Sequence, residues 1–366
     1  MTATATLLAV TGLAVTGASC AALAAPSRTA AQPMSAVWKV VKQVHNGSFG
    51  PVVAVGKSGG WAFEENPAGF GSAPAAWRRS GSTWTRAAFP GKKNETVVAA
   101  GATSPTDVWA FTAGQGSSSQ SRALRWNGRT WTVQRTFSGL IGGGVVISPR
   151  DVWVFGQPFF PSAGFGAWHY NGRTWTHVAS GHGLEGGSAL SADDVWAFDG
   201  VDVAHWNGST WSRTSVASLL PAKFQLNDPA VTGVFAVSRN SVYAVGNGDD
   251  EDDGGPMVLL HWNGHHWSKL AQGLFGFGVQ PVQQISSDGH GGLWLPMPGV
   301  DGQKSHLVHY SGGRLTTAAL PGGPDRTDVY SVALIPGTLS VLAGGDMHAS
   351  DEPGVNVSAV LLQYEV

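Results

Sequence analysis

The sequence predicts an all-β protein, a seven-bladed β-propeller with four-stranded blades, whose ring is closed by the N-terminal strand completing the last blade. Three observations predict it: a recurring turn phrase, a recurring strand phrase, and a composition typical of turns and aromatic strands. Of the 366 residues, 51 are glycine and 16 are tryptophan, and only 13% are charged. Soluble domains average about 7% glycine and about 25% charged residues, so this chain favours strands and tight turns over solvent-facing helices.

The first phrase places Asn-Gly between aromatic positions, which is typical of a β-hairpin. The expected turn is of type I′, in which both central residues take positive φ. In the copy at 124–131, Trp126 is then expected to pair with Arg129, and Leu124 with Trp131. The copies read LRWNGRTW at 124–131, WHYNGRTW at 168–175, AHWNGSTW at 204–211 and LHWNGHHW at 260–267.

A second phrase precedes each hairpin and combines a turn with a strand. Ser-Pro-x-Asp favours a turn, because proline presets φ and aspartate accepts backbone N–H bonds. The apolar run that follows alternates like a strand packed on both faces. Its aromatic position recurs every 43 to 51 residues, and four-stranded units at this period indicate a β-propeller. The copies are SPTDVWAF at 104–111, SPRDVWVF at 148–155, SADDVWAF at 191–198 and SRNSVYAV at 238–245, and the aromatic positions are Trp61, Trp109, Trp153, Trp196, Tyr243 and Trp294.

Degenerate copies bring the blade count to seven. The seventh has LSVLAGG at 339–345 and ends after a third strand, LLQYEV, so its fourth strand is missing. A spare strand, AVWKVVKQV, stands at 36–44, and its Trp38 matches the tryptophan of the other fourth strands. Pairing the two chain ends would leave no exposed sheet edge. We therefore expect one propeller domain over 36–366.

The first 24 residues are interpreted as a secretory signal peptide. Their apolar run is shorter than the ~20 residues that span a bilayer, and a small-residue cleavage pattern follows at 22–24. Residues 25–35 would form a short linker, and the protein would be secreted. The alternative is a lipoprotein anchored through Cys20, the only cysteine.

The net charge of −2 argues against a nucleic acid or an anionic membrane as the partner, because both demand a basic protein surface. With no transmembrane segment expected, the predicted partner of this monomer is an extracellular glycan or protein.

The repeats resemble those of Kelch and galactose-oxidase-like propellers, most of all secreted bacterial propellers built from DVWAVG…HWNGxxW units. The resemblance covers about residues 36–366 and implies the propeller fold. Galactose oxidases need copper and a Tyr–Cys crosslink. A mature chain cleaved at Ala24 has no cysteine, so that activity is not expected.

Function is expected on one rim of the ring. If the strands of a blade are A to D from the centre outwards, the A–B and C–D turns lie at one end, here the turn rim. The B–C and D–A connections lie at the other end, the mouth rim. The turns are nearly identical between blades and the connections differ, and divergent loops are where binding residues usually lie.

Phenylalanines in the divergent connections suggest a stacking surface for sugar rings or an anchor for a protein, since exposed apolar clusters mark binding sites. The alternative is that these rings pack inside the channel mouth or between blades. The candidates are Phe70, Phe159, Phe160, Phe165, Phe275 and Phe277.

The acidic segment GNGDDEDDGG at 246–255 has carboxylates at alternate positions, Asp249, Glu251 and Asp253, as in a calcium loop. Leu260 stands where such a loop has its bidentate acid. The two interpretations are a solvated acidic loop without cofactor and a calcium site.

Histidines recur at one position of strand C, where repeated packing or hydrogen bonding is expected: His169, His205, His261 and His309. Two metal pairings are considered. His261 would face His266 across the hairpin, and His348 would join Asp346 and Asp351 in the last blade.

The sequence thus favours a secreted binding module that recognises an extracellular carbohydrate or protein through its mouth rim. One alternative is an enzyme, a polysaccharide hydrolase or lyase, with acids converging at the channel mouth. The other is an architectural cell-wall or matrix protein. Residues on suitable connections for the enzyme are Asp301, Lys304, His306, Glu185 and His182.

Overall fold

The computed structural model describes residues 37–69, 71–114, 120–157, 165–181, 183–221, 229–247, 256–274, 284–297, 305–322, 327–348 and 357–365. These ranges hold 28 strands and one short 3-10 helix, Ala217–Leu219. The strands form seven four-stranded antiparallel sheets. The predicted seven-bladed propeller is therefore confirmed.

Six blades use four consecutive strands, in the order A to D. Blade I contains β2 (Ser48–Val55), β3 (Gly59–Glu65), β4 (Ala75–Ser80) and β5 (Thr83–Ala87); blade II β6 (Glu95–Ser104), β7 (Asp107–Gly114), β8 (Gln120–Trp126) and β9 (Trp131–Ser138); blade III β10 (Leu140–Ser148), β11 (Asp151–Gln157), β12 (Gly166–Tyr170) and β13 (Trp175–Val178); blade IV β14 (Gly186–Ser191), β15 (Asp194–Asp199), β16 (Asp202–Trp206) and β17 (Trp211–Ser215); blade V β18 (Ala230–Ser238), β19 (Ser241–Asn247), β20 (Pro256–Trp262) and β21 (Trp267–Leu274); blade VI β22 (Ser286–Ser287), β23 (Leu293–Met297), β24 (His306–Ser311) and β25 (Arg314–Thr317).

Blade VII joins the two ends of the propeller. It contains β26 (Thr327–Leu334), β27 (Val341–His348), β28 (Val357–Glu365) and β1 (Val37–His45) as its fourth strand. The antiparallel β1–β28 register runs from the pair Val37–Glu365 to the pair His45–Ser358. Ring closure by the N-terminal strand is as predicted.

The hairpins differ from the predicted turn. Trp126 pairs with Trp131, so four residues rather than two connect the strands. The side-chain oxygen of Asn127 accepts the backbone N–H groups of Arg129 and Thr130, each at 2.9 Å. Gly128 has a φ of 95°, and Asn127 is not among the non-glycine residues with positive φ. The type I′ prediction is therefore wrong, because asparagine acts here through its side chain rather than its backbone.

The four-residue turn explains the repeated phrase, because it sets two aromatic rings opposite one another. In most blades these rings hold the strand B tryptophan of the preceding blade. Trp153 of blade III, for example, lies 6.0 Å from Trp206 and 6.2 Å from Trp211 of blade IV, measured between ring centroids. Edge and tilted contacts at this distance stabilise aromatic pairs. The equivalent sets are Trp61 with Trp126 and Trp131, Trp109 with Tyr170 and Trp175, Trp196 with Trp262 and Trp267, and Trp294 with Trp38 and Tyr364.

The A strands surround the central channel, where a cavity of about 340 Å³ is lined by blades II to V and by Gln284 and Ile285. Glycine permits this close packing: a Cβ on Gly144 would lie 2.4 Å from the ring of Phe111. Gln284 accepts the N–H of Val52 and donates to the carbonyl of Ala100, both at 3.3 Å. The segment entering blade VI thus reaches the inner strands of blades I and II.

Candidate functional site at the channel mouth

The strand C histidines lie near the turn rim and have structural partners. His169 has its Nε2 atom 2.7 Å from Asp151 and stacks on Trp153 at 4.4 Å. His205 and His309 repeat this arrangement, and blade II replaces the histidine with Arg125, which contacts Asp107 and lies over Trp109. The expected repeated packing and hydrogen bonding of these residues is confirmed.

The His261–His266 pairing is wrong. The longer turn pairs His261 with Ser268 instead, and the Nε2 atom of His261 lies 3.0 Å from the hydroxyl of Ser241. His266 lies in the turn itself, where its backbone N–H bonds to Asn263.

A different cluster of ionisable side chains lies at the mouth rim of blade VII. Asp328 is near the start of β26, and Asp346 and His348 are near the end of β27. The register makes Asp328 and Asp346 directly opposed partners. His348 is two residues beyond Asp346 and therefore shares its face of the sheet. This geometry brings one imidazole to two carboxylates.

The contacts of His348 with the two carboxylates are unequal. Its Nε2 atom lies 2.9 Å from Asp328 Oδ2, within a hydrogen bond, and 3.3 Å from Asp346 Oδ1. Asp346 is 5% exposed, and its Oδ1 atom has no hydrogen-bond partner among the described residues. The buried Nδ1 atom of His348 also lacks such a partner there.

Hydroxyl groups orient the other carboxylate oxygens. Tyr330 donates to Asp346 Oδ2 at 3.0 Å, and Ser305 of the neighbouring blade VI donates to Asp328 Oδ1. Each carboxylate therefore has one oxygen held by a hydroxyl and the other directed at His348. Glu65 of blade I accepts a hydrogen bond from Thr96 of blade II at the same rim.

Burial raises the pKa values of several acidic groups in and near this site. Desolvation raises the pKa of Asp346, and it also raises the pKa of Glu65 and that of Tyr330, the last well above 10. The contact with the Asp346 carboxylate, followed by that with Asp328, raises the pKa of His348 to about 9 against the opposing effect of burial. The imidazole thus holds its proton at neutral pH and offsets part of the carboxylate charge.

Most of the sequence-predicted site residues lie outside the described residues. Phe165 is described: it is 2% exposed and its ring centroid lies 5.7 Å from that of Phe137, so it serves packing and offers no surface for stacking. Glu185 precedes β14 in blade IV, and His306 begins β24 in blade VI. The residues outside the described ranges are Cys20, Phe70, Phe159, Phe160, Phe275, Phe277, His182, Asp249, Glu251, Asp253, Asp301, Lys304 and Asp351.

Sequence reasoning found Asp346 and His348 but missed Asp328, Tyr330 and Ser305. Asp328 and Tyr330 stand in the segment TDVYS, which carries no distinct chemical signature. Their place at the mouth end of an inner strand follows only from the A–B register of blade VII.

Comparison with known proteins supports the fold and names no family. No family model matches the sequence, and no curated protein matches it. A solved structure described as YCF48 bound to D1 peptide is similar with a TM-score of 0.58 and 9% identity, over 90% of this chain and 97% of that one. The fold is that of a propeller.

Two further solved structures agree with this result. The WD40 β-propeller domain of Doa1 is similar with a TM-score of 0.58 and 11% identity, over 88% of this chain and 96% of that one. The extracellular domain of a hybrid two component system from B. thetaiotaomicron has a TM-score of 0.55 and 9% identity, over 87% of this chain and 40% of that one. Within the described ranges, no helix has the length and apolar character to cross a membrane.

Proposed function

We propose that this propeller is an extracellular binding module that takes its ligand at the mouth rim. The observation that carries the proposal is the contrast between the aspartate carboxylates of the two rims. At the turn rim, aspartate, histidine and asparagine side chains are used to hold the blades. At the mouth rim, a buried carboxylate oxygen of Asp346 has no hydrogen-bond partner among the described residues.

A protein segment is the favoured ligand. Among the described residues, the exposed large hydrophobic side chains are all aliphatic, whereas sugar rings are usually held by aromatic ones. The charged and hydroxyl groups around Asp328, Asp346 and Tyr330 suit backbone amides or a basic side chain. A propeller of similar fold is described as bound to a peptide, which is compatible with this choice.

Carbohydrate remains the second candidate because of the phenylalanines of the divergent connections. Phe159 and Phe160 lie outside the described residues, and their stacking role is a prediction from sequence. Loss of saccharide binding in a Phe159→Ala/Phe160→Ala variant would support it.

Paired arrays test the proposal. The mature chain is applied to a peptide array and a glycan array, each with and without calcium, beside a mouth-rim variant and a turn-rim control. Asp346→Asn and Phe159→Ala/Phe160→Ala are the mouth variants, and Arg173→Ala in the exposed hairpin is the control. We expect a peptide signal that weakens in a mouth variant and persists in the control. Binding lost only in the control would contradict the proposal, and calcium dependence would implicate Asp249, Glu251 and Asp253.

We also infer that the chain is secreted, is cleaved after Ala24 and has Kelch-like repeats. Its N-terminal signal pattern supports the first two inferences, and the aromatic strand and hairpin phrases support the third. N-terminal sequencing of protein from the culture medium is expected to begin at Ala25. A lipid-linked Cys20 would overturn the cleavage prediction.

A further inference from the structure

Two buried carboxylates stand directly opposite one another in blade VII. Asp328 and Asp346 are cross-strand partners, and like charges in that relation are destabilising. The strands approach closely here, because a Cβ on Gly345 would overlap the backbone carbonyl of Asp328. Such a pair calls for a positive charge between the two carboxylates.

The carboxylates are oriented as metal ligands usually are. Tyr330 holds one oxygen of Asp346, and Ser305 holds one oxygen of Asp328. Ligating carboxylates are typically hydrogen-bonded in this way through the oxygen that does not face the ion. One ligand atom from each of Asp328, Asp346 and His348 lies within 4.8 Å of the other two.

One imidazole cannot satisfy both carboxylates. A neutral or protonated Nε2 carries at most one proton, and it is directed at Asp328 Oδ2. Asp346 Oδ1 lies 3.3 Å from the same Nε2 atom but accepts no hydrogen bond from it or from any other described residue, although the side chain is more than nine-tenths buried. A buried acceptor without a hydrogen bond is costly, and a cation placed between these side chains would satisfy it.

We propose that Asp328 Oδ2, Asp346 Oδ1 and His348 Nε2 bind a zinc ion. Zinc bonds of about 2.0–2.1 Å in a tetrahedral site place neighbouring ligand atoms about 3.3 Å apart. The Nε2 atom of His348 already lies 2.9 Å and 3.3 Å from the two carboxylate oxygens. Small side-chain movements would admit the ion once it replaces the proton on Nε2, so binding releases that proton to solvent and weakens as the pH falls.

The ligand set selects zinc over the common hard cations. Calcium takes six to eight oxygen ligands and magnesium keeps an octahedral shell of oxygens, whereas imidazole suits zinc. Three protein ligands leave a fourth position open, as in zinc sites that exchange a ligand. The side chains of His348 and Asp328 are 16% and 19% exposed, which gives the ion a path from solvent.

Zinc titration of the whole chain tests the site without any knowledge of a partner. Protein treated with EDTA and then dialysed is titrated with zinc in a calorimeter. We expect one equivalent to bind, and Asp346→Asn to weaken that binding at least tenfold, while its amide oxygen still accepts the hydrogen bond from Tyr330. The matched control is Asp151→Asn, in which an aspartate–histidine contact of the turn rim loses its charge. It is expected to bind zinc as the wild type does. No stoichiometric binding, or equal affinity in all three proteins, would overturn the proposal.

A second measurement needs no variant and so does not depend on one folding. Crystals of the wild-type chain soaked in zinc are measured on both sides of the zinc absorption edge. An anomalous peak within bonding distance of Asp328, Asp346 and His348 is the expected result. A peak confined to other residues, or none, would overturn the zinc site, while direct binding of a peptide by the same carboxylates would still be decided by the arrays.

Discussion

The two rims of the propeller place aspartate and histidine side chains in different surroundings. At the turn rim of blade VI, His309 stacks on Trp294 at 4.1 Å and contacts Asp288 Oδ2 at 2.8 Å. The other oxygen of Asp288 accepts two backbone N–H groups, at 2.7 and 2.8 Å. At the mouth rim of blade VII, His348 faces two carboxylates, and one of their oxygens has no hydrogen bond among the described residues.

Under the proposed function, this difference assigns stability to the turn rim and binding to the mouth rim. The aspartate–histidine contact recurs in several blades, and in each of them the histidine stacks on the strand B tryptophan of the same blade. Such a repeated contact stabilises the blades. The cluster of Asp328, Asp346 and His348 belongs to one blade, and within the described ranges it is the only group of three or more such side chains placed to hold a metal ion. Substitutions at the turn rim should therefore lower stability and leave binding intact.

The largest expected loss of unfolding free energy comes from removing β1. Deleting residues 1–45 would open blade VII and withdraw Trp38 from Trp294 and Tyr364. The loss should exceed the ~3–5 kcal/mol of a single buried Trp→Ala change, because the β1–β28 hydrogen bonds are lost as well. Urea unfolding measures it, with a chain lacking only residues 1–35 as the control. Equal unfolding of the two truncated chains would contradict ring closure.

A smaller loss of unfolding free energy is expected when one tryptophan that packs between two blades is replaced. Trp153 is 1% exposed and lies between two indoles of blade IV, so Trp153→Ala should cost about 3–5 kcal/mol of unfolding free energy. Trp153→Phe should cost less because an aromatic ring remains. Zinc binding at blade VII should be unchanged in the folded variant. A phenylalanine variant as unstable as the alanine variant would argue against specific ring contacts.

Acid should lower the free energy of unfolding by protonating Asp288 at the turn rim. Burial alone would raise its pKa, but hydrogen bonds from the backbone of His290, from His309 and from the backbone of Gly292 outweigh burial and hold it below 3.8. Because the folded-state pKa is lower than the unfolded one, this stabilisation is present above about pH 4 and is lost as the pH falls through the folded-state value. Urea unfolding from pH 6 to pH 2 should show a shallower decline for Asp288→Asn. An identical decline would exclude Asp288 as a source.

The smallest effect is expected in a single hairpin. Asn171 accepts the backbone N–H groups of Arg173 and Thr174 at 3.0 and 2.9 Å. Both bonds are exposed, so Asn171→Ala should cost about 0.5–1.5 kcal/mol by thermal unfolding. Asn171→Asp, which keeps the acceptor, is the control. A loss of ligand binding in Asn171→Ala would contradict the assignment of binding to the mouth rim alone.

The sequence predicts the architecture well because the repeats record it. The spacing of Trp61, Trp109 and Trp153 gives the blade period, and Trp38 identifies the closing strand. The turn geometry was missed because Asn-Gly fits two hairpin types. Only the register shows that Trp126 faces Trp131.

The candidate site was only half predictable. Asp346 and His348 lie two residues apart, so their proximity can be read from the strand. Asp328 and Ser305 lie far from them in sequence and come from another strand and another blade. Their approach depends on register and on the packing of blades VI and VII, which no local pattern encodes.

Thermal unfolding of the wild type, Asp151→Asn and Asp346→Asn, each with and without zinc, tests most directly whether stability and binding belong to different rims. At a free zinc concentration of 100 times the dissociation constant, a single site adds about 2.7 kcal/mol of stability. We expect Asp151→Asn to melt below the wild type and to keep the zinc-induced rise in Tm. Asp346→Asn should fold but lose that rise. A rise of the same size in all three proteins, or no rise in the wild type, would contradict the assignment of stability to one rim and binding to the other.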